Sequence, residues 1–320
     1  MVVIGYHASH EQHAPRELLT AVRLAEQAGF DAAMCSDHLA PWTRQQGESG
    51  FAWAWLGAAM ATTNMSFGVV TAPGQRYHPV IVAQAIATLA EMFPNRFWAA
   101  LGSGEALNEH VTGDAWLEKP ARQQRLVECY DVMRRLLDGE QVSARGTHTL
   151  VHNARLWSRP AESVPLLGAA ASAETAEWLG GWAEGLITVA STVAETQGIL
   201  ERYRAGAGRG SARLQVHVSL GESAEQARRV AEDQWAHSTV PKDLMWELED
   251  PEDYEAVARL SEGSLEAAVV ISDSAVDMAD RIARLAEGFD HVYLHHIGPD
   301  QGTFLRRCET ELLPELRRIL

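Results

Sequence analysis

Cysteine is scarce in this 320-residue chain, and its three copies, Cys35, Cys129 and Cys308, show neither CxxC nor zinc-site spacing. An odd number without a framework excludes a disulfide-stapled fold and predicts reduced thiols in a cytoplasmic protein. Clusters of Lys or Arg are missing as well, and the formal net charge is −16. A polyanion partner needs a basic stripe to displace counterions, so nucleic acid is excluded. Long apolar runs are absent too. The longest, Phe51 to Ala61, falls well short of the ~20 residues that span a bilayer, so no membrane partner is expected. The amino-terminal Met1-Val2-Val3-Ile4-Gly5-Tyr6 lacks the basic and apolar parts of a signal peptide and reads as a strand.

What is present is an alternation of short apolar runs with amphipathic stretches, the pattern of βα units around a parallel sheet. Strands are predicted at Val2–Tyr6, Ala32–Cys35, Ser66–Val70, Phe97–Leu101, Pro165–Ala169, Gly185–Thr188, Leu214–Ser219 and His291–His295. Helices are predicted at Pro15–Ala28, stopped by Gly29, at His78–Met92, before Pro94, and at Lys119–Leu137, before Asp138-Gly139. Arg-Leu-Ala-Glu recurs at 23–26 and 284–287, each time ahead of Gly-Phe-Asp, which favours a closed, repeating barrel. The expectation is one (β/α)8 TIM-barrel domain over residues 1–320, with two insertions. A hairpin around Arg145-Gly146 follows the fourth strand. A helical segment, Gln234–Gly263, follows the seventh and covers the mouth.

Functional groups of such a barrel sit on the loops that follow its strands. Those loops carry His7 and Glu11; Asp37, His38 and Trp42; Ser103, Gly104, Glu105 and Asn108; then Ala170, Ala171 and Ser172. Polar groups crowd the first four loops and small residues the next two, so reacting groups face a flat ligand lying against backbone. His38 is the candidate base, because imidazole titrates near ~6.5. Asp37 orients that ring, contacts a cofactor, or with His38 merely caps a turn. Trp42 is an aromatic wall or ordinary packing. Glu105 is a second acid opposite His38 or a helix cap. A catalytic metal would require further ligands where Ala170 and Val189 stand, so none is expected.

Several of these residues belong to longer matches: Glu11-Gln12 with Ala14-Pro15-Arg16-Glu17-Leu18, Ser36-Asp37-His38, Pro41-Trp42, Arg76-Tyr77, Pro94-Asn95-Arg96 and Gly104-Glu105-Ala106-Leu107-Asn108-Glu109. Through them the chain resembles the bacterial luciferase-like oxidoreductases, in the branch that holds the F420-dependent glucose-6-phosphate dehydrogenases. The resemblance implies a deazaflavin (F420) or flavin (FMN) at the barrel mouth and a homodimer. It also implies His38 as base on the substrate hydroxyl, Glu105 as acid near the ring, and Trp42 beside the reacting centre. Asp37, Ser103, Gly104, Asn108, Ala170, Ala171 and Ser172 are expected around the cofactor, and Glu11 and His7 around the substrate. Val69 and Val70 are expected behind the ring, at a non-proline cis peptide.

The departures from that branch concern the phosphate. Its basic residues match Thr192, Met245 and Ala268 here, and Lys242 is the insertion's one lysine. Each lost charged contact forfeits roughly 1.5–3 kcal/mol. The expectation is therefore hydride transfer between F420 or FMN and an alcohol or sugar that is not a sugar phosphate. Alternatives are an FMN-dependent monooxygenase served by a flavin reductase, a metal-dependent barrel hydrolase, or a non-catalytic flavin-binding protein.

Overall fold

Parallel neighbours need a long crossover between them, and a helix is the compact way to make it. The computed structural model describes residues 2–320; Met1, counted above with the first strand, lies outside the described residues. The strands are β1 (Val3–Ala8), β2 (Ala32–Ser36), β3 (Ser66–Thr71), β4 (Phe97–Leu101), β5 (Val142–Arg145), β6 (Leu150–Ala154), β7 (Leu166–Ala169), β8 (Gly185–Val189), β9 (Ser211–Leu220), β10 (Val269–Ser272) and β11 (His291–His296). The helices are α1 (Pro15–Ala28), α2 (Ala52–Thr62), α3 (Pro79–Met92), α4 (Ala106–Glu109), α5 (Lys119–Leu137), α6 (Ala173–Gly180), α7 (Val193–Ala205), α8 (Ala224–Trp235), α9 (Pro251–Ala258), α10 (Ala275–Leu285), α11 (Gln301–Arg307) and α12 (Leu313–Ile319).

Strands β1, β2, β3, β4, β7, β8, β9 and β11 pair in parallel in that order, and β11 returns to β1. The result is the closed eight-stranded (β/α)8 barrel. The antiparallel β5–β6 hairpin follows β4, and the segment containing α9 follows β9, where the insertions were expected. Strand β10 was not foreseen. The lower part of β9 pairs with β8, while its upper residues His217–Leu220 pair with Val269–Ser272, so β10 lies outside the ring. No helix is long and apolar enough to cross a membrane, among the described residues.

The base of the barrel is filled by rings. Trp98 and Tyr293 lie 5.7 Å apart inside it, and the Arg213 guanidinium sits 4.6 Å from the Trp98 ring. Two strands give up their side chains to admit them. A Cβ on Gly68 would come within 1.9 Å of Trp98, and one on Gly5 within 2.2 Å of Tyr293. The alternation of β3 sends Val70 toward this interior and buries Val69 among the surrounding helices. Val69 thus does not line the mouth. Every peptide bond is trans among the described residues, so the cis bond expected at Val69–Val70 is absent.

Candidate functional site

Four elements bring the predicted acid–base groups together. His38 follows β2, Glu11 follows β1, and Glu105 stands at the start of α4 after β4. The His38 imidazole lies between the two carboxylates: Nδ1 is 3.4 Å from Glu11 Oε1, and Nε2 is 3.8 Å from Glu105 Oε1. Burial alone would raise the Glu11 carboxyl, but His38, His7, its own backbone amide and the Ser9 hydroxyl outweigh it and hold the group below its usual range. At Glu105 burial is again the largest influence and prevails, aided by the charge of Glu11 and opposed by His38, so this carboxyl is raised. One imidazole therefore sits between a carboxylate held ionised and a carboxyl inclined to keep its proton.

Glu105 caps no backbone amide of α4; its side chain accepts from Asn108 Nδ2 at 3.2 Å and faces His38. Asn108 Oδ1 accepts from the amides of Leu39 and Ala40 at 2.7 and 3.3 Å, tying the β4 loop to the β2 loop. Gly104 makes the sharp turn before Glu105 with φ +90°, a conformation that side chains disfavour. Asp37 caps nothing. Its carboxylate accepts from Trp53 Nε1 at 3.0 Å, Thr71 Oγ1 at 2.9 Å and Tyr77 OH at 3.2 Å, with Arg76 at 3.5 Å. These partners are all protein groups, and they fix the backbone that carries His38.

Trp42 meets the His38 ring edge-on at 5.1 Å and Tyr254 of α9 at 5.3 Å. With Leu107, Val240, Met245 and Leu248 it forms the apolar contact that seats the insertion over the mouth. Trp116 and Arg122 anchor the same insertion through Glu247 at 2.8 and 3.0 Å. His7 stacks on His295 at 4.3 Å and approaches Ser36 Oγ at 3.4 Å. Burial pushes His7 down to about 3, so it is an uncharged part of the wall.

The opposite rim is made of small groups. Ala170 is buried; Ala171 and Ser172 are exposed. Ser172 Oγ accepts from Thr175 N as the cap of α6. The backbone amides of Ala171, Ser172, Ala173 and Glu174 donate to no protein group, among the described residues. A rim of alanines with unused amides fits a flat ring system with an anionic tail. Ser103 sits half-buried beside Gly104. Among the described residues no three His, Cys, Asp or Glu side chains stand close enough to share a metal ion.

Some groups at the mouth escaped the sequence reading. Gln215 Nε2 lies 3.2 Å from His217 Nε2 and 3.3 Å from His295 Nδ1, forming a buried amide–imidazole layer below His7. His237 stacks on Trp42, and Trp235 packs edge-on against both His237 and His295. The Trp235-Ala236-His237 triplet at the start of the insertion was the available signal. Arg76 and Tyr77 were noticed only as part of the resemblance.

A family profile described as luciferase-like monooxygenase matches residues 2–292. The chain is 35% identical to the F420-dependent glucose-6-phosphate dehydrogenase of Microbacterium testaceum, over 98% of this chain and 97% of that one. It is 31% identical to the protein of the same name from Mycobacterium tuberculosis, over 99% and 98%. Among solved structures, an F420-dependent secondary alcohol dehydrogenase in complex with an F420-acetone adduct superimposes with a TM-score of 0.92, at 30% identity, over 99% of both chains. The relatives named for glucose 6-phosphate overturn the expectation that the substrate is not a sugar phosphate. Backbone amides and hydroxyls can hold a phosphate where cationic side chains are missing. The chain belongs to the luciferase-like monooxygenase family and is an oxidoreductase.

Proposed function

We propose that the protein is an F420-dependent dehydrogenase that oxidises a carbinol, with glucose 6-phosphate as the substrate carried over from its relatives. The observation behind this reading is the placement of His38 between Glu11 and Glu105. When bound, F420 supplies the hydride acceptor. His38 takes the proton of the substrate hydroxyl at Nε2, and Glu11, held ionised at Nδ1, stabilises the imidazolium that forms. Glu105, raised by burial, serves as the proton donor on the cofactor side. Trp42 and the insertion behind it exclude water from the reacting atoms. Val70, Ser103, Gly104 and the alanine rim would hold the ring, with the free amides of Ala171 to Glu174 on its anionic end.

The secondary alcohol dehydrogenase favours a second substrate class, because its whole chain superimposes on this one. The test is fluorescence titration with F420 and with FMN, then turnover of glucose 6-phosphate and of 2-propanol. Quenching by F420 with turnover of either compound supports the reading; binding of neither cofactor below ~100 μM defeats it. FMN binding alone would shift the reaction to monooxygenation with a reductase partner.

The single-domain reading rests on one barrel whose helix-side core runs from Ile4 to Leu316. A homodimer is part of the proposal. Helix α2 exposes Ala54, Ala58 and Ala61, and beside it Phe51, Ile81 and Met92 are more than half exposed. Such a face is suited to a second copy of itself. Sedimentation of I81E against the parent chain tests it.

A further inference from the structure

Most buried histidines here spend a ring nitrogen on the protein. His217 Nδ1 lies 3.3 Å from Ala268 O, His296 Nδ1 3.2 Å from Val218 O, and His295 bonds at both nitrogens, to Gln215 and Gln12. His237 does not. It is 3% exposed, yet neither ring nitrogen has a hydrogen-bond partner among the described residues. His10 also lacks partners, but both its nitrogens are sealed where it packs on Trp55. In His237 only Nδ1 is sealed, so Nε2 is the polar atom left open to a ligand.

His237 begins the insertion, on the turn Ala236–Thr239 directly after α8. Its ring lies parallel to Trp42, 7° off plane with centroids 5.4 Å apart, and Trp235 packs against its edge at 4.6 Å. Trp42 in turn meets the His38 ring, so a single indole separates the His237 ring from the base. A ring nitrogen with no protein partner can be satisfied by a ligand hydroxyl or carbonyl. Burial pushes the imidazole down to about 3, with His217 and His38 adding to it. The ring is then uncharged, able to donate or accept at one nitrogen, and matched to a neutral oxygen.

We propose that His237 is a substrate-binding residue whose Nε2 hydrogen-bonds an uncharged oxygen of the substrate, next to the carbinol that His38 deprotonates. The inference rests on the dehydrogenase reading above and adds a specificity residue to it. Phe keeps the stack on Trp42 and removes the hydrogen bond; Gln keeps a hydrogen-bonding group. H237F raises KM for glucose 6-phosphate or 2-propanol about tenfold, with a smaller change in kcat and the same Kd for F420, and H237Q recovers part of the loss. An unchanged KM in H237F, equal losses in H237F and H237Q, or a weakened F420 Kd would overturn it. Failure of the dehydrogenase reading is seen separately, as wild-type protein that binds no F420 or turns over neither compound. In that case ring-nitrogen NMR of histidine-labelled protein decides: a shift of the His237 signal on adding either compound, absent from H237F, supports the inference, and no shift with either sinks it.

Discussion

The two ends of this barrel are built on opposite principles. At the base, Trp98, Tyr293 and Arg213 fill the interior, and two strands give up side chains to let the rings pack. At the mouth, the titratable groups His38, Glu11 and Glu105 are crowded together, and the two carboxyls are pushed in opposite directions. Close packing of large rings is what stability selects. Opposed pKa values are what chemistry selects. The contrast predicts that substitutions at one end alter stability and at the other alter turnover.

His38→Ala should show the largest effect, lowering kcat by about 10²–10⁴ with little change in Tm, as read by steady-state rates and thermal melts. Loss of stability without loss of turnover would place His38 with the base instead. Trp98→Ala removes the ring around which the base is packed. It should cost about 3–5 kcal/mol in denaturant unfolding, while kcat at low temperature stays near wild type. Gly68→Ala pushes a methyl into that same ring and should cost about 1–3 kcal/mol by the same measurement.

The smallest effect is the most discriminating. The raised carboxyl of Glu105 binds its proton more tightly in the folded state than unfolded, so it opposes folding increasingly as pH rises through its folded pKa. Glu105→Gln should therefore turn over more slowly and yet melt higher than wild type at pH 8, the gap narrowing toward pH 5. A lower melt at pH 8 would assign Glu105 to the packing of the mouth and end the contrast.

The barrel was legible in the chain because its strands are buried on both faces and read as short apolar runs separated by helices with ordinary stops. Strand β10 escaped because Val269–Ser272 resembles its neighbours in composition and differs only in pairing with the overhanging end of β9. Within the site, His38, Glu105 and Trp42 were visible from their place after strands. Their roles against capping and packing were not, since that choice depends on where a carboxylate points. Asp37 illustrates it: its neighbour in sequence drew attention to it, but Trp53, Thr71 and Tyr77, which hold it, are scattered over α2, β3 and the loop before α3. His237 lay hidden because a histidine in a polar insertion looks solvated until Trp42 and Trp235 close around it.

The ring-filled base has a kinetic consequence. With that end filled by rings, His38, Glu11 and Glu105 are to be reached from the side of the insertion seated on Trp42. Two ligands that lie one behind the other there should bind in a compulsory order, the deeper one first in and last out. A hydride acceptor held against the alanine rim would then leave, reduced, only after the smaller oxidised product has gone. Initial-rate patterns and product inhibition should show that sequence, and an excess of the outer ligand should trap the inner one rather than compete with it.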